Sequence, residues 1–328
     1  VAVHTLHQHD APSCDFSAER LLADQGIARE VYDANFARDV IARAAGAVRE
    51  AVAHARPVTH VGVGEAEIEK VASNRRILGA DGKVQFVRYT ATADPKIREA
   101  PVGTIDPMLK TISFWDGEKA VAALTYYATH PQSYYRTGQA NPDFPGIARD
   151  ARQTLTGVPH IHFNGAGGNI GAGKYNDGAH ANRQILADRV AHGMARAWES
   201  TRKSPISGSD LGWDSVAVAL PPASFLDESG IVATLKDTSA KPAKRGAAAT
   251  ELAWLRRCKA SDTIDVGCLK LGPARVLHMP GELFVEYQLA AQKLRPDSFV
   301  AMAAYGDYAP GYIGTEVAYT QGGYETTP

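Results

Sequence analysis

No apolar run in this sequence approaches the ~20 residues that a helix needs to cross a bilayer, which excludes a helical membrane span within it. A Lys/Arg-dense tract is absent too, and with it the usual footprint of a nucleic-acid partner. The 35 basic and 36 acidic residues leave a formal charge of -1 and are spread along the chain. The nearest basic cluster, Lys241-Pro242-Ala243-Lys244-Arg245, sits among Ala, Pro and Gly and reads as a solvated loop. Cysteine is scarce: three residues cannot build a disulfide framework. Cys258 and Cys268 could close one small loop or stand as two ordinary thiols, and Cys14 reads as a buried or free thiol. Repeats, low-complexity tracts and a visible signal peptide are missing. The chain opens on Val1-Ala2-Val3-His4 without an initiating Met and stops at Pro328 without a closing element, so both ends are expected to be cut.

What is present suffices for a full core. At 328 residues and 45% hydrophobic, one large domain or two coupled lobes are both compatible with the length. Helical periodicity marks 34–55, with Phe36, Val40, Ile41, Ala44, Val48 and Val52 as an expected buried stripe. Further helices are expected over 147–155, 181–199, 246–259 and 282–294. Strands are expected over 60–65, 111–115, 121–128, 160–163, 215–220, 268–277 and 299–305. The alternation predicts an α/β fold with a mixed or mostly parallel central sheet flanked by helices and a site at the strand ends. The Ser/Gly/Pro-rich stretch at 202–212 is the best boundary. It predicts a catalytic domain over 1–200 and 263–328, with an insertion or small lobe over 201–262.

The chemistry gathers around Ala120–Pro131, AVAALTYYATHP, which reads as a strand carrying His130 at its tip with Pro131 stopping it. His7 and His9 are two apart, so in extended backbone both face one way. That suits a metal ligand with a neighbouring donor; a polar loop with adventitious histidines is the competing reading. The loop after His130 brings Tyr134, Tyr135 and Arg136 as recognition groups. Ser73-Asn74-Arg75-Arg76 is a polar cluster with a structural role as its first reading. Gly165 to Gly173, around Gly168, Asn169 and Gly171, brings backbone N–H groups close together as an oxyanion or phosphate nest; a structural turn competes. Its Gly173-Lys174 is followed by Tyr175 rather than Ser or Thr, so it is not a P-loop. Glu282 follows Pro280-Gly281 where a helix is expected to begin, in a field that favours a carboxylate suited to a cation. Tyr308 and Tyr312 decorate the loop after the last strand.

Five stretches, in this order and spacing, resemble the neutral/alkaline ceramidase family. They are His7-Gln8-His9-Asp10-Ala11-Pro12, Gly62-Val63-Gly64-Glu65 with Asn74-Arg75, Thr129-His130-Pro131, Pro280-Gly281-Glu282-Leu283 and Gly311-Tyr312-Ile313. The resemblance implies one zinc ion held by His7, His130, Glu282 and Tyr312, with His9 beside it to bind or polarise substrate. It also implies a bound water attacking an amide carbonyl. Zn²⁺ is the expected cofactor, although Mn²⁺ and Fe²⁺ accept the same His/Glu/Tyr set. The chain departs from the family where an essential serine stands in a Gly-Asp-Val-Ser-Pro-Asn segment. Here Gly171 takes the serine position and Asn169 the aspartate position. Asn169 is left to orient water or substrate and Lys174 to supply a proton or counter-charge. No β-rich segment follows Tyr324, where the family carries an immunoglobulin-like domain. The expectation is thus a metal-dependent amidase of a small or polar substrate rather than of ceramide. The alternatives are an esterase or phosphate-ester hydrolase on the same metal, and a non-catalytic ligand-binding member. The resemblance is compatible with a secreted or periplasmic protein, and the composition equally with a cytoplasmic one.

Overall fold

The computed structural model describes residues 4–7, 9–135, 137–306 and 310–326. They form two compact units: residues 1–10, 57–216 and 265–327, and residues 11–56 and 217–264. The boundary read from sequence put 201–262 into the smaller lobe; here 201–216 belong to the larger unit, and the smaller one joins 217–264 to 11–56.

The larger unit is built on two sheets. One has five strands in the order His160–Asn164, Lys119–Tyr127, Met108–Asp116, His60–Glu67, Arg202–Pro205. The other has four, in the order Leu211–Val218, Ile264–Leu271, Ala274–Pro280, Phe299–Gly306. Most neighbours run antiparallel, so of the expected mixed or mostly parallel central sheet the mixed alternative stands and the single sheet is corrected: this is an α/β fold with several small sheets of mixed strand direction. The reason lies in the connections. Asp116 pairs with Lys119 across a tight turn in which Gly117 has φ 58°, and such a turn returns the chain antiparallel.

Parallel pairing occurs twice in these sheets, each time across a helix. Lys119–Tyr127 leads through the helix Asp143–Thr156 to His160–Asn164. Ala274–Pro280 leads through the helix Val285–Leu294 to Phe299–Gly306. The sheets meet through Val61, Ile112 and Tyr126 of one and Leu271, Val276 and Ala301 of the other. A second core holds Tyr127, Phe144, Leu186, Val190 and Met194, where helices Asp143–Thr156 and Asn182–Glu199 cover the five-stranded sheet. Two βαβ units in one core bring four parallel strand ends together, the place where α/β folds carry their sites.

The smaller unit is helical. Ala18, Leu22, Ile231, Leu235, Leu252 and Leu255 form its interior, and Asp15 and Asp227 cap helices Phe16–Ala23 and Glu228–Lys236. Helix Ala34–Ala53 forms as its periodicity predicts, yet the expected burial of its stripe is corrected: Phe36, Val40, Ile41, Val48 and Val52 are all exposed. Periodicity dictates a helix with one apolar face; it does not supply the surface that covers the face. Cys14, Cys258 and Cys268 are free thiols, so the loop that two of them could close is not closed. Among the described residues no helix is long and apolar enough to cross a membrane.

Candidate metal centre

Each group at the centre arrives from the C-terminal end of a parallel strand or from a segment bound to one. His130 lies three residues beyond Lys119–Tyr127. Glu282 follows Ala274–Pro280 after Gly281 at φ 60° and pairs with Tyr312 in a short parallel ladder. The helix begins at Val285, so the expectation that Glu282 stands in a helix N-terminal field is corrected: the ladder with Tyr312 positions it. His7 is placed from outside the sheets. His4 Nε2 lies 2.6 Å from Ala304 O, Thr5 Oγ1 donates to Tyr305 O, and His7 N donates to Asn164 Oδ1 at 3.3 Å.

His7, His9 and His130 each offer a ring nitrogen, and these nitrogens all lie within 4.8 Å of one another. His7 Nε2 is 3.0 Å from His9 Nε2. Glu282 Oε2 is 3.4 Å from His7 Nε2 and 3.2 Å from His130 Nε2. His130 Nδ1 faces two carbonyls, Gly167 O at 2.6 Å and Ile170 O at 3.0 Å. A nitrogen facing carbonyls must carry the proton, which assigns the tautomer and leaves Nε2 as a bare acceptor. Burial pushes the His7 imidazole down to about 3 and lowers His9, and it holds His130 well below the ordinary histidine value. Burial thus favours neutral imidazoles, and the His130 Nε2 lone pair faces both the Glu282 carboxylate and the Arg75 guanidinium.

Two acceptors thus confront each other, a buried imidazole lone pair and a carboxylate oxygen that has no hydrogen-bond partner. Acceptors at such a distance repel unless a cation or proton lies between them. The residues fit a metal ion: nitrogen and carboxylate donors converge, and the carbonyls of Gly167 and Ile170 orient one ligand ring. Tyr312 stands beside them, its ring centroid 6.3 Å from that of His130. Burial, reinforced by the Glu282 charge, raises its phenol above the ordinary tyrosine value, so its oxygen carries a proton.

Two contributors were not legible as site residues. Arg75 places Nη1 3.1 Å from His130 Nε2 and 3.3 Å from the Tyr312 oxygen. Its sequence signal was the Asn74-Arg75 pair. Tyr305 stacks on His7 with centroids 4.5 Å apart, and its backbone sits at φ 68°, a left-handed conformation costly for a bulky residue. Burial holds its phenol well above the ordinary value. A left-handed tyrosine leaves no mark in sequence.

The glycine loop serves differently from a nest. Gly168 N donates to Leu283 O and Ala166 N to Gln288 Oε1, so these N–H groups are committed. A Cβ on Gly168 would come within 2.2 Å of Glu282 O, which makes the absent side chain a condition for seating the carboxylate strand. Asn169 accepts from Val285 N and donates to Glu286 Oε2, both at 2.9 Å, and so caps the helix that follows Glu282. Lys174 Nζ binds the carbonyls of Arg98, Glu99 and Ala100, away from the cluster. Gly171 lies under Arg75, whose side chain a Cβ would meet at 3.7 Å. Tyr134 stacks on His180, and Tyr135 lies 5.6 Å from the His9 ring. Arg136 and Tyr308 lie outside the described residues.

A cavity of about 520 Å³ adjoins the cluster. Leu6, Pro131, Tyr134, Tyr135, Pro142 and Pro145 give it apolar walls, and His7 and His9 stand at one end.

The fold has counterparts among solved structures of ceramidases. A ceramidase complexed with C2 matches with a TM-score of 0.55 and 14% identity, over 82% of this chain and 50% of its own. Neutral ceramidase from Pseudomonas aeruginosa matches with a TM-score of 0.54 and 15% identity, over 82% of this chain and 48% of its own. The chain spans about half the length of these relatives. No protein-family model matches the sequence, and neither does any curated protein.

Proposed function

We propose that the chain is a metal-dependent hydrolase in which His7, His130 and Glu282, with Tyr312 beside them, hold a zinc ion that serves the hydrolysis of an amide. The observation that carries this reading is the buried pair of facing acceptors, His130 Nε2 and Glu282 Oε2, 3.2 Å apart. A bound divalent ion of this kind acidifies a water to a pKa near ~7 and polarises a carbonyl. The remaining work falls to the chain. His9, neutral and half-open to the cavity, accepts a proton at Nε2 and returns it to the departing nitrogen. The Tyr312 phenol donates to the carbonyl oxygen as charge develops there, and Arg75 Nη1 supplies a second donor 3.3 Å from that phenol. The likeness to ceramidases supports the choice of an amide. Gly171 cannot contribute a hydroxyl, which favours a smaller or more polar substrate than ceramide.

The test joins elemental analysis of purified protein to turnover of a panel of small amides and esters. One zinc per chain and amide turnover, both lost in His130→Ala, are expected. Undiminished turnover in metal-free protein overturns the reading. A non-catalytic ligand-binding role is the second reading, favoured by Gly171 and by the Arg75 guanidinium 3.1 Å from the very nitrogen a metal would take. It predicts ligand binding with no product. Ester or phosphate-ester turnover without amide turnover would keep the metal and change the substrate class.

A further inference from the structure

The strand His160–Asn164 runs along the cavity with His160, His162 and Asn164 on one face, and all three line the space beside the metal cluster. Each is buried, and each keeps one side-chain polar atom without a protein partner: His160 Nδ1, His162 Nε2 and Asn164 Nδ2. Orphaned buried polar atoms are rare; Asn164 Nδ2 is a donor and stands apart, while the two ring nitrogens at alternate positions of one strand call for a common explanation. Asn164 is the end nearest the metal ligands, since its Oδ1 accepts from His7 N. His162 and His160 stand one and two strand repeats further out, about 6.7 Å each.

Their neighbours fix what the orphan atoms are. Thr156 Oγ1 donates to Arg152 O at 2.8 Å, so it can only accept from His160 Nε2, 3.3 Å away, and Nδ1 is left a lone pair. Thr125 Oγ1 donates to Ile161 O at 3.4 Å and accepts from His162 Nδ1 at 2.9 Å, which leaves Nε2 a lone pair as well. Burial lowers both rings to about 4, so they are neutral acceptors at physiological pH. Gln132 Oε1, another buried oxygen without a partner, also lines the cavity. Around the cavity apolar walls thus stand beside residues that each keep a buried acceptor without a protein donor, with Arg149, Asp10 and Asp143 as its charged members.

We infer that the limb of the substrate lying in this cavity is a short, mostly apolar group bearing a hydrogen-bond donor, a hydroxyl or an N–H, that His162 and His160 receive. The inference rests on the hydrolase reading for its reaction but on the strand alone for its binding chemistry. A plain alkyl chain leaves both imidazoles unpaired, and a site built to accept from a donor rejects the analogue that lacks it.

The test uses three anilides of equal chain length ending in hydroxyl, ammonium or methyl. Wild type is expected to prefer a donor-bearing anilide over the methyl one by about tenfold or more in kcat/KM, and the first two arms separate hydroxyl from ammonium. His162→Leu is expected to bring the ratio to within about twofold. Its melting temperature should stay at or above that of wild type, because an apolar group replaces an unpaired polar one. Equal kcat/KM for all three in wild type, or a preference retained in His162→Leu, overturns the inference while leaving the hydrolase reading standing. If wild type turns over none of the three, calorimetry of metal-stripped protein with the matching free acids decides. Tighter binding of the donor-bearing acid, lost in His162→Leu, supports the inference; equal binding overturns it.

Discussion

The glycine loop and the metal cluster lie side by side at the strand ends, both buried and both polar, yet they keep opposite accounts of their hydrogen bonds. In the loop both ends of the Asn169 amide are taken, and Gly168 N and Ala166 N each have a partner. In the cluster Glu282 Oε2 has none, and along the adjoining strand His160, His162 and Asn164 each lack one. A satisfied region carries the fold, and an unsatisfied one waits for something from outside. Buried polarity alone does not distinguish the two; the partner count does.

The comparison breaks most easily at Glu282. Glu282→Gln is expected to lower amide turnover by about 10³-fold or more, roughly 4 kcal/mol of lost barrier reduction, and to abolish the rise in melting temperature on adding zinc. The metal-free variant should melt no lower than metal-free wild type, because an unpaired buried charge has gone. A lowered metal-free melting point would place Glu282 with the satisfied groups.

Asn169→Leu is the converse. It strands the Val285 N–H and the Glu286 carboxylate, so a loss of about 2–4 kcal/mol in urea unfolding is expected, with the zinc-induced rise retained. Loss of zinc binding without loss of stability would reverse the assignment.

A third effect concerns acid. His160 and His162 sit at about 4 in the fold, against 6.5 when unfolded. As pH falls the unfolded chain takes up protons first, so stability present above 6.5 is lost towards 4. The loss is expected to reach about 3 kcal/mol for each ring, read as melting temperature against pH in metal-free protein. His162→Leu should flatten the curve, and an unchanged slope would count against neutral, buried rings.

Gly171→Ser should barely register in stability, within about 0.5 kcal/mol, because its Cβ would meet Arg75 only at 3.7 Å. Turnover of longer amides by this variant measures how much the missing hydroxyl restricts the substrate.

Sequence exposed those parts of the centre that a short local pattern can carry. AVAALTYYATHP reads as a strand bearing His130, and the strand ends three residues short of it. The spacing of His7 and His9 placed two rings together, whereas the pairing of Glu282 with Tyr312 in a short ladder joins segments that no local pattern links. The same alternation, His160 and His162 on a strand, was there to be seen and was read only as a strand. Asn169 and Lys174 were singled out by the family resemblance at the glycine loop, but the bonds their side chains make to Val285, Glu286 and the carbonyls of 98–100 leave no mark in sequence. Arg75 and Tyr305 depend on partners far away in sequence and on a left-handed backbone. The exposed stripe of Ala34–Ala53 makes the same point: periodicity is local, and burial is not.

The bond from His4 to Ala304 joins positions 300 apart in the chain. Closing so long a loop delays the contact that seats His7. During synthesis from the N-terminus His4 leaves the ribosome 300 residues ahead of Ala304. The cluster therefore cannot assemble before the strand Phe299–Gly306 has folded and received the segment from His4 to His7.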